Sequence, residues 1–158
     1  MGTAIAAGVI AVVGTLLGSI VSGVLQRRIA QDGLAASERA ALRRDQIAAV
    51  AALAAASADH RRTSWHRRWL QAGGADEPTL IAAVAAVHAT RSAMAEPVAR
   101  VRLLISSPAV RQAVEDLVEI TFSLHDCDDF NAARLASIAA HDRLLDVAAE
   151  VIREDGSQ

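Results

Sequence analysis

The residues best equipped for chemistry lie in one run: Asp59, His60, Arg61, Arg62, Thr63, Ser64, Trp65, His66, Arg67, Arg68 and Trp69. A guanidinium is a planar fork of donors that fits the oxygens of a phosphate, in nucleic acid or in a lipid headgroup. Arg61, Arg62, Arg67 and Arg68 are therefore the candidate phosphate or partner contacts. Trp65 and Trp69 stand four apart and share a face if the segment is helical. A structural reading competes and is the one the pattern favours. In it the two tryptophans close the end of a helical bundle, and the arginines lay their stems along it with their heads in solvent.

A second run, His125, Asp126, Cys127, Asp128 and Asp129, offers five donor side chains, with His141 and Asp142 one helix further on. Structural zinc sites pair their ligands at spacings such as CxxC and HxxxH, and di-iron bundles use Glu-x-x-His; the sequence contains none of these. Aspartates capping a helix junction account for the run more simply. No phosphate loop, GxSxG elbow or convincing Cys/His nucleophile pair occurs either. The expectation is a non-enzymatic protein with no catalytic residue, cofactor or metal ligand. Cys127 is the single cysteine, so no internal disulfide can form, which suits a reducing compartment.

The elements that position these residues are expected to be helices throughout. Of 158 residues, 53 % are apolar but only 3 % aromatic, and 36 are alanine. Alanine has the best helix propensity, whereas strands draw on branched and aromatic residues. The fold class expected is all-α: an N-terminal transmembrane helix that continues into a long helix, which packs in an antiparallel helical bundle. The parts are a transmembrane anchor over 4–25, a juxtamembrane helix over 26–72 and the remaining bundle helices over 73–158.

The anchor is expected because Thr3 to Gln26 carries no charge. Residues 4–25 would extend roughly 33 Å as a helix, against about 30 Å of hydrocarbon core. The large aliphatics of the stretch favour insertion by roughly 3–6 kcal/mol, partly offset by glycines and hydroxyls. A cleaved signal would place its basic residues before the apolar run, a core helix would show a polar face and a surface helix a basic one. Instead Arg27 and Arg28 follow the run, joined by Arg39, Arg43 and Arg44. By the positive-inside rule they set the topology, a single-pass plasma-membrane protein with its C-terminal domain in the cytoplasm. Gly14, Gly18 and Ser22 form a small-residue stripe suited to close helix packing in lipid, so a homo-oligomer is a candidate state.

Past the anchor the expected helices are 3–72, 79–105, 108–125 and 129–153, with a bend or break allowed at Gly33. Gly73, Gly74 and Pro78 mark a turn, and Ser107 before Pro108 reads as an N-cap with proline at the first helical position. Asp128 or Asp129 caps the last helix. Leu80, Val84, Val87, Arg91, Met94, Val98, Val101 and Ile105 keep one phase, which predicts a helix kinked at Pro97 but continuous. Val110, Val114, Leu117, Thr121 and Leu124 form the next seam, and Leu135, Ile138, Leu145 and Ile152 the last. Residues 26–75 hold nine arginines and four acids, and residues 76–158 seven arginines and fourteen acids. Complementary faces within one bundle explain the split, and a basic segment meeting anionic lipid is the alternative.

Several stretches resemble one family: AVVGTLLGS followed by QRR, then RRDQIAAVAALAAASADHRRTSWHR, TRSAMAEPVARVRLLI and AHDRLLDVAAE. Together they are similar to the KilB-type proteins encoded on plasmids and related chromosomal elements of mycelial actinobacteria. The resemblance implies a membrane-bound accessory protein in the spread of conjugative plasmids, growth-inhibitory when overproduced, and not a catalyst. Its implied partners are the lipid bilayer and other membrane or plasmid-transfer proteins. A membrane-perturbing, toxin-like protein is the competing reading, and a DNA-binding accessory using the four arginines is the third, with nucleic acid the less expected partner.

Overall fold

A computed structural model describes the backbone of residues 2–125 and 127–155 and the side chains of residues 33–124 and 127–155. Among these the chain is all-α, with α1 at Gly2–Ala72, α2 at Glu77–Ala93, α3 at Ala95–Leu104, α4 at Pro108–Phe122 and α5 at Phe130–Asp155. A 3-10 turn, Ser123–His125, follows α4. Gly33 does not interrupt α1.

The chain divides into two compact units, Met1–Ala41 and Leu42–Gln158. The first is the N-terminal part of α1, with Leu34 exposed. The expected anchor over 4–25, with Gly14, Gly18, Ser22, Arg27 and Arg28, lies outside the residues whose side chains are described. Among the described residues no helix is long and apolar enough to cross a membrane.

The second unit is an antiparallel bundle, and its cross-links show the direction of each pair. Along α1, partners on α2 and α3 run backwards, since Gln46 Nε2 donates to the Leu104 carbonyl (3.0 Å) and His60 meets Thr90. So do those towards α5, since Ser57 meets His141 and Arg68 reaches the carbonyls of Cys127 and Asp128 just before that helix. On α4 and α5, Thr121 meets Ser137 while Asp116 pairs with Arg143, again in opposite directions. The core consists of small and medium aliphatics, including Ala49, Leu53, Met94, Val101, Val114, Leu117, Leu144 and Ala148.

Local signals end the helices where expected. At the C-terminus of α1, Gly73 N–H donates to the Trp69 carbonyl (2.9 Å) and Ala75 N–H to that of Leu70 (3.1 Å), with Gly74 at φ 69°. That left-handed conformation is open to glycine at little cost. Asp76 caps α2 by accepting from Thr79 N–H at 3.3 Å. Ser107 occupies the N-cap of α4 before Pro108, and Asp129 accepts from Ala132 N–H (3.0 Å) at the start of α5.

Two expectations are corrected. The helix expected over 79–105 is interrupted at Met94, so α2 and α3 are separate elements. Pro97 has no N–H to offer the Ala93 carbonyl and its ring crowds that group, so the ladder gives way one turn before the proline. Met94 N–H turns instead to the Arg91 carbonyl (3.2 Å). Met94 nonetheless remains in the right-handed helical region, and Val87, Met94, Val101 and Ile105 are buried on one phase across the interruption. The seam of α5 is misphased in part: Ile152 is buried as expected and Ile138 partly so, but Leu135 and Leu145 are exposed, and the rest of the buried face is Ser137, Ala140, Leu144 and Ala148. Small residues let α5 approach its neighbours closely, and Ser137 is kept satisfied by Thr121. The α4 seam is buried at all five positions.

Candidate functional site

A polar layer crosses the bundle between α1, α2, α4 and α5. Ser57 Oγ donates to the Ala54 carbonyl (2.8 Å), which uses its one hydrogen, so at the 3.2 Å contact it accepts from the Nδ1–H of His141. Thr90 likewise spends its hydrogen on the α2 carbonyls of Ala86 and Val87 and accepts from His60 Nδ1–H at 3.0 Å. His60, buried, stands edge-on to Phe122, whose ring also carries the Arg91 guanidinium 4.3 Å from its centroid. Thr121 and Ser137, both fully buried, share a hydrogen bond of 3.0 Å. Paired groups of this kind penalise any sliding of the helices, because a shift of register leaves buried hydroxyls unmatched.

Where this layer reaches the surface between α1 and α5 it opens into a pocket of about 440 Å³ lined by Ala58, Arg61, Arg62, Trp65, Asn131 and Arg134. Arg61 lies half-buried, its Nη1 donating to Ser137 Oγ at 3.5 Å. Burial, and then the nearby Arg134 guanidinium, push the Arg61 pKa below its ordinary value, while Asp142 pulls it the other way. Arg62 is paired with Asp59 at 2.8 Å, both well exposed. Among the described residues neither Arg61 nor Arg134 has a carboxylate at ion-pair distance.

The four arginines singled out in the sequence therefore divide. Arg61 and Arg62 face this pocket. Arg67 and Arg68 line a different, narrow crevice with Ser64, Gln71 and Leu124. Arg68 is occupied structurally: Nη1 and Nη2 donate to the carbonyls of Cys127 (3.0 Å) and Asp128 (3.4 Å), and its guanidinium lies 5.4 Å from the Phe130 ring centroid. It fastens the loop before α5 to α1. The expectation that Trp65 and Trp69 close the end of the bundle is overturned, since they are 47 % and 59 % exposed. Four residues apart on α1, they lie on the flank of the helix that carries Arg61 and Arg62 rather than on that of Ser57 and Ser64. The α1 arginines described as crossing to other helices, Arg61 and Arg68, hydrogen-bond a hydroxyl and two carbonyls, and Arg61 is in addition attracted by Asp142 of the acidic half.

In the second run, Asp129 caps α5, Cys127 Sγ contacts the Leu124 carbonyl at 3.2 Å, and the His125 side chain and Asp126 lie outside the described residues. Among the described residues no group of three His, Cys, Asp or Glu side chains could hold a metal ion. Asn131 and Arg134 carry no signal in the sequence. Arg134 is flanked by alanines and leucine, and only the register of α5 against α1 brings it beside Arg61.

The state of Arg61 can be checked by replacement, because a guanidinium remains protonated at any pH at which the protein folds. Arg61→Met keeps the apolar stem and removes the charge. Its melting temperature is expected to equal or exceed that of the parent, with Ser137 still bonded to Thr121. A fall comparable to a core truncation would show that Arg61 is a structural tether like Arg68.

Fold and pocket together define an all-helical bundle protein with a cationic surface pocket. The chain belongs to the KilB family: the model of that family, described as KilB plasmid transfer protein, matches residues 47–152. The chain is also similar to Protein KilB of Streptomyces lividans, 40 % identical over 143 residues, covering 89 % of this chain and 93 % of that protein. No solved structure matches the chain. The family match begins within α1 and ends within α5, so it spans the bundle and the pocket.

Proposed function

We propose that the protein is a membrane-anchored, non-enzymatic accessory of plasmid transfer, acting in the spread of conjugative plasmids. In this reading residues 4–25 hold it in the plasma membrane, and the bundle faces the cytoplasm to engage other membrane or transfer proteins. The observation that carries the role is the likeness to the plasmid transfer family over the whole bundle. The uncharged run before Arg27 and Arg28 supports the anchor and its direction. Growth inhibition on overproduction follows in this reading from excess anchored protein.

The test is to compare the full chain with a variant lacking residues 4–25. The full chain is expected in the membrane fraction, resistant to protease added outside spheroplasts, and able to support plasmid spread. The shortened chain is expected in the soluble fraction, folded and inactive in spread. A shortened chain that still supports spread, or a bundle digested from outside, overturns the proposal.

Self-association through the Gly14, Gly18 and Ser22 stripe is a separate prediction. Gly14→Ile with Gly18→Ile keeps the segment apolar enough to insert while blocking close backbone approach. A membrane two-hybrid signal is expected to fall severalfold with unchanged localisation, in the full chain and in a version ending near Arg44. An undiminished signal in the short version would make the glycines incidental.

A further inference from the structure

We propose that the pocket between α1 and α5 binds a phosphate monoester carried by a flat ring, the chemistry of a mononucleotide. The phosphate would rest between Arg61 and Arg134 with Asn131 beside it, and the ring against Trp65. The inference concerns the bundle alone and holds whether or not the chain is anchored or serves plasmid transfer.

Five observations converge on it. Arg61 and Arg134 line the same pocket from α1 and α5 and stand close enough to repel one another; Asp142 offsets this for Arg61 only by a smaller attraction, and no carboxylate among the described residues lies at ion-pair distance of either. Such an arrangement costs the folded chain stability, and a dianion placed between the two guanidiniums removes the cost. Arg62, whose charge Asp59 already balances, adds a donor at the rim. A carboxylate would neutralise only one of the two charges, whereas a phosphate monoester carries nearly two near pH 7 and offers three acceptor oxygens to the arginine forks. The volume of about 440 Å³ falls in the range of small-ligand sites and exceeds what a bare phosphate fills. Finally, Trp65 lines the pocket with about half its surface open, and an indole in that position is available to stack on a flat ring. The Asn131 amide, on the wall supplied by α5, can donate to the phosphate or accept from the sugar.

The experiment titrates the full chain, in detergent or phosphatidylcholine nanodiscs, with AMP, inorganic phosphate and adenosine, read by calorimetry and tryptophan fluorescence. AMP is expected to bind saturably, phosphate at least tenfold more weakly, and adenosine without saturation. Arg134→Gln is expected to weaken AMP and phosphate at least tenfold with a circular-dichroism melt unchanged within a few degrees. Trp65→Leu is expected to weaken AMP alone, and Arg111→Gln on the exposed face of α4 to change nothing. The proposal is overturned if AMP shows no saturable binding, or if its affinity survives Arg134→Gln. It is equally overturned if a short single-stranded oligonucleotide binds undiminished to Arg134→Gln while AMP does not bind, since the anion site would then lie elsewhere. Should Arg134→Gln melt far below the parent, Arg134→Lys decides: it keeps the charge but loses the fork, and retained fold with at least fivefold weaker AMP supports the site, while unchanged affinity refutes it.

Discussion

Leu117→Ala is expected to destabilise the bundle by about 3–5 kcal/mol, the usual cost of deleting a fully enclosed leucine side chain where neighbours cannot close the cavity. Leu117 is 0 % exposed, lies in the middle of α4 and belongs to the same apolar cluster as Leu53, Val114 and Leu144. An alanine-rich core has few long side chains able to swing into the space, which places the expected value towards the upper end. Urea unfolding of the full chain followed by circular dichroism checks it, and the melting temperature should fall by roughly 10 °C or more. The informative comparison is on α5. Leu144→Ala should behave like Leu117→Ala, while Leu145→Ala, one residue on and partly exposed, should cost far less. Equal losses at 144 and 145 would mean that the buried face of α5 has been assigned to the wrong phase.

The second large effect comes from adding volume. Ala49 is 0 % exposed and sits on α1 in the core cluster, beside Val50 and one turn before Leu53. Ala49→Leu changes helix propensity little, because both residues are among the best helix formers. Its effect is therefore a packing effect: the added side chain forces the helices apart or into poor rotamers, at about 1–3 kcal/mol. Ala51→Leu, on the exposed side of the same helix, is the control and should be near neutral. If Ala49→Leu were neutral too, the core would be loose enough to absorb a leucine, and small side chains would not be what sets the spacing of the helices.

The abundance of alanine also explains which parts of the structure were legible. Helix ends depend on residues within a turn of one another, so the sequence alone located Gly73 and Gly74, the Ser107–Pro108 start and the Asp129 cap. The face of α4 was legible for a similar reason: Val110, Val114, Leu117 and Thr121, with Leu124 in the turn that follows, recur at helical spacing while Arg111, Glu115 and Glu119 fall on the exposed side, so amphipathic contrast marks the face. On α5 that contrast misleads. Leu135 is 59 % exposed, while three of the five buried positions, Ser137, Ala140 and Ala148, carry serine or alanine beside Leu144 and Ile152. Which stripe of such a helix is buried depends on how closely a neighbour approaches and on whether a partner such as Thr121 stands opposite Ser137.

The same division holds for the interruption at Met94 and for the pocket. Pro97 announced a disturbance in the sequence, but whether a helix bends through it or breaks before it depends on what packs against the turn, and there Met94 is fully buried. Residue types alone determined that the chain would be helical, that its arginines between 61 and 68 could meet anions, and that residues 4–25 carry no charge. Only the tertiary structure decided that Arg68 is spent on loop carbonyls and that Arg61 faces Arg134 across two helices. The physical reason is range: caps and propensities act over three or four residues, whereas the register of α5 against α1 is set by the summed fit of a whole interface, which no local segment encodes.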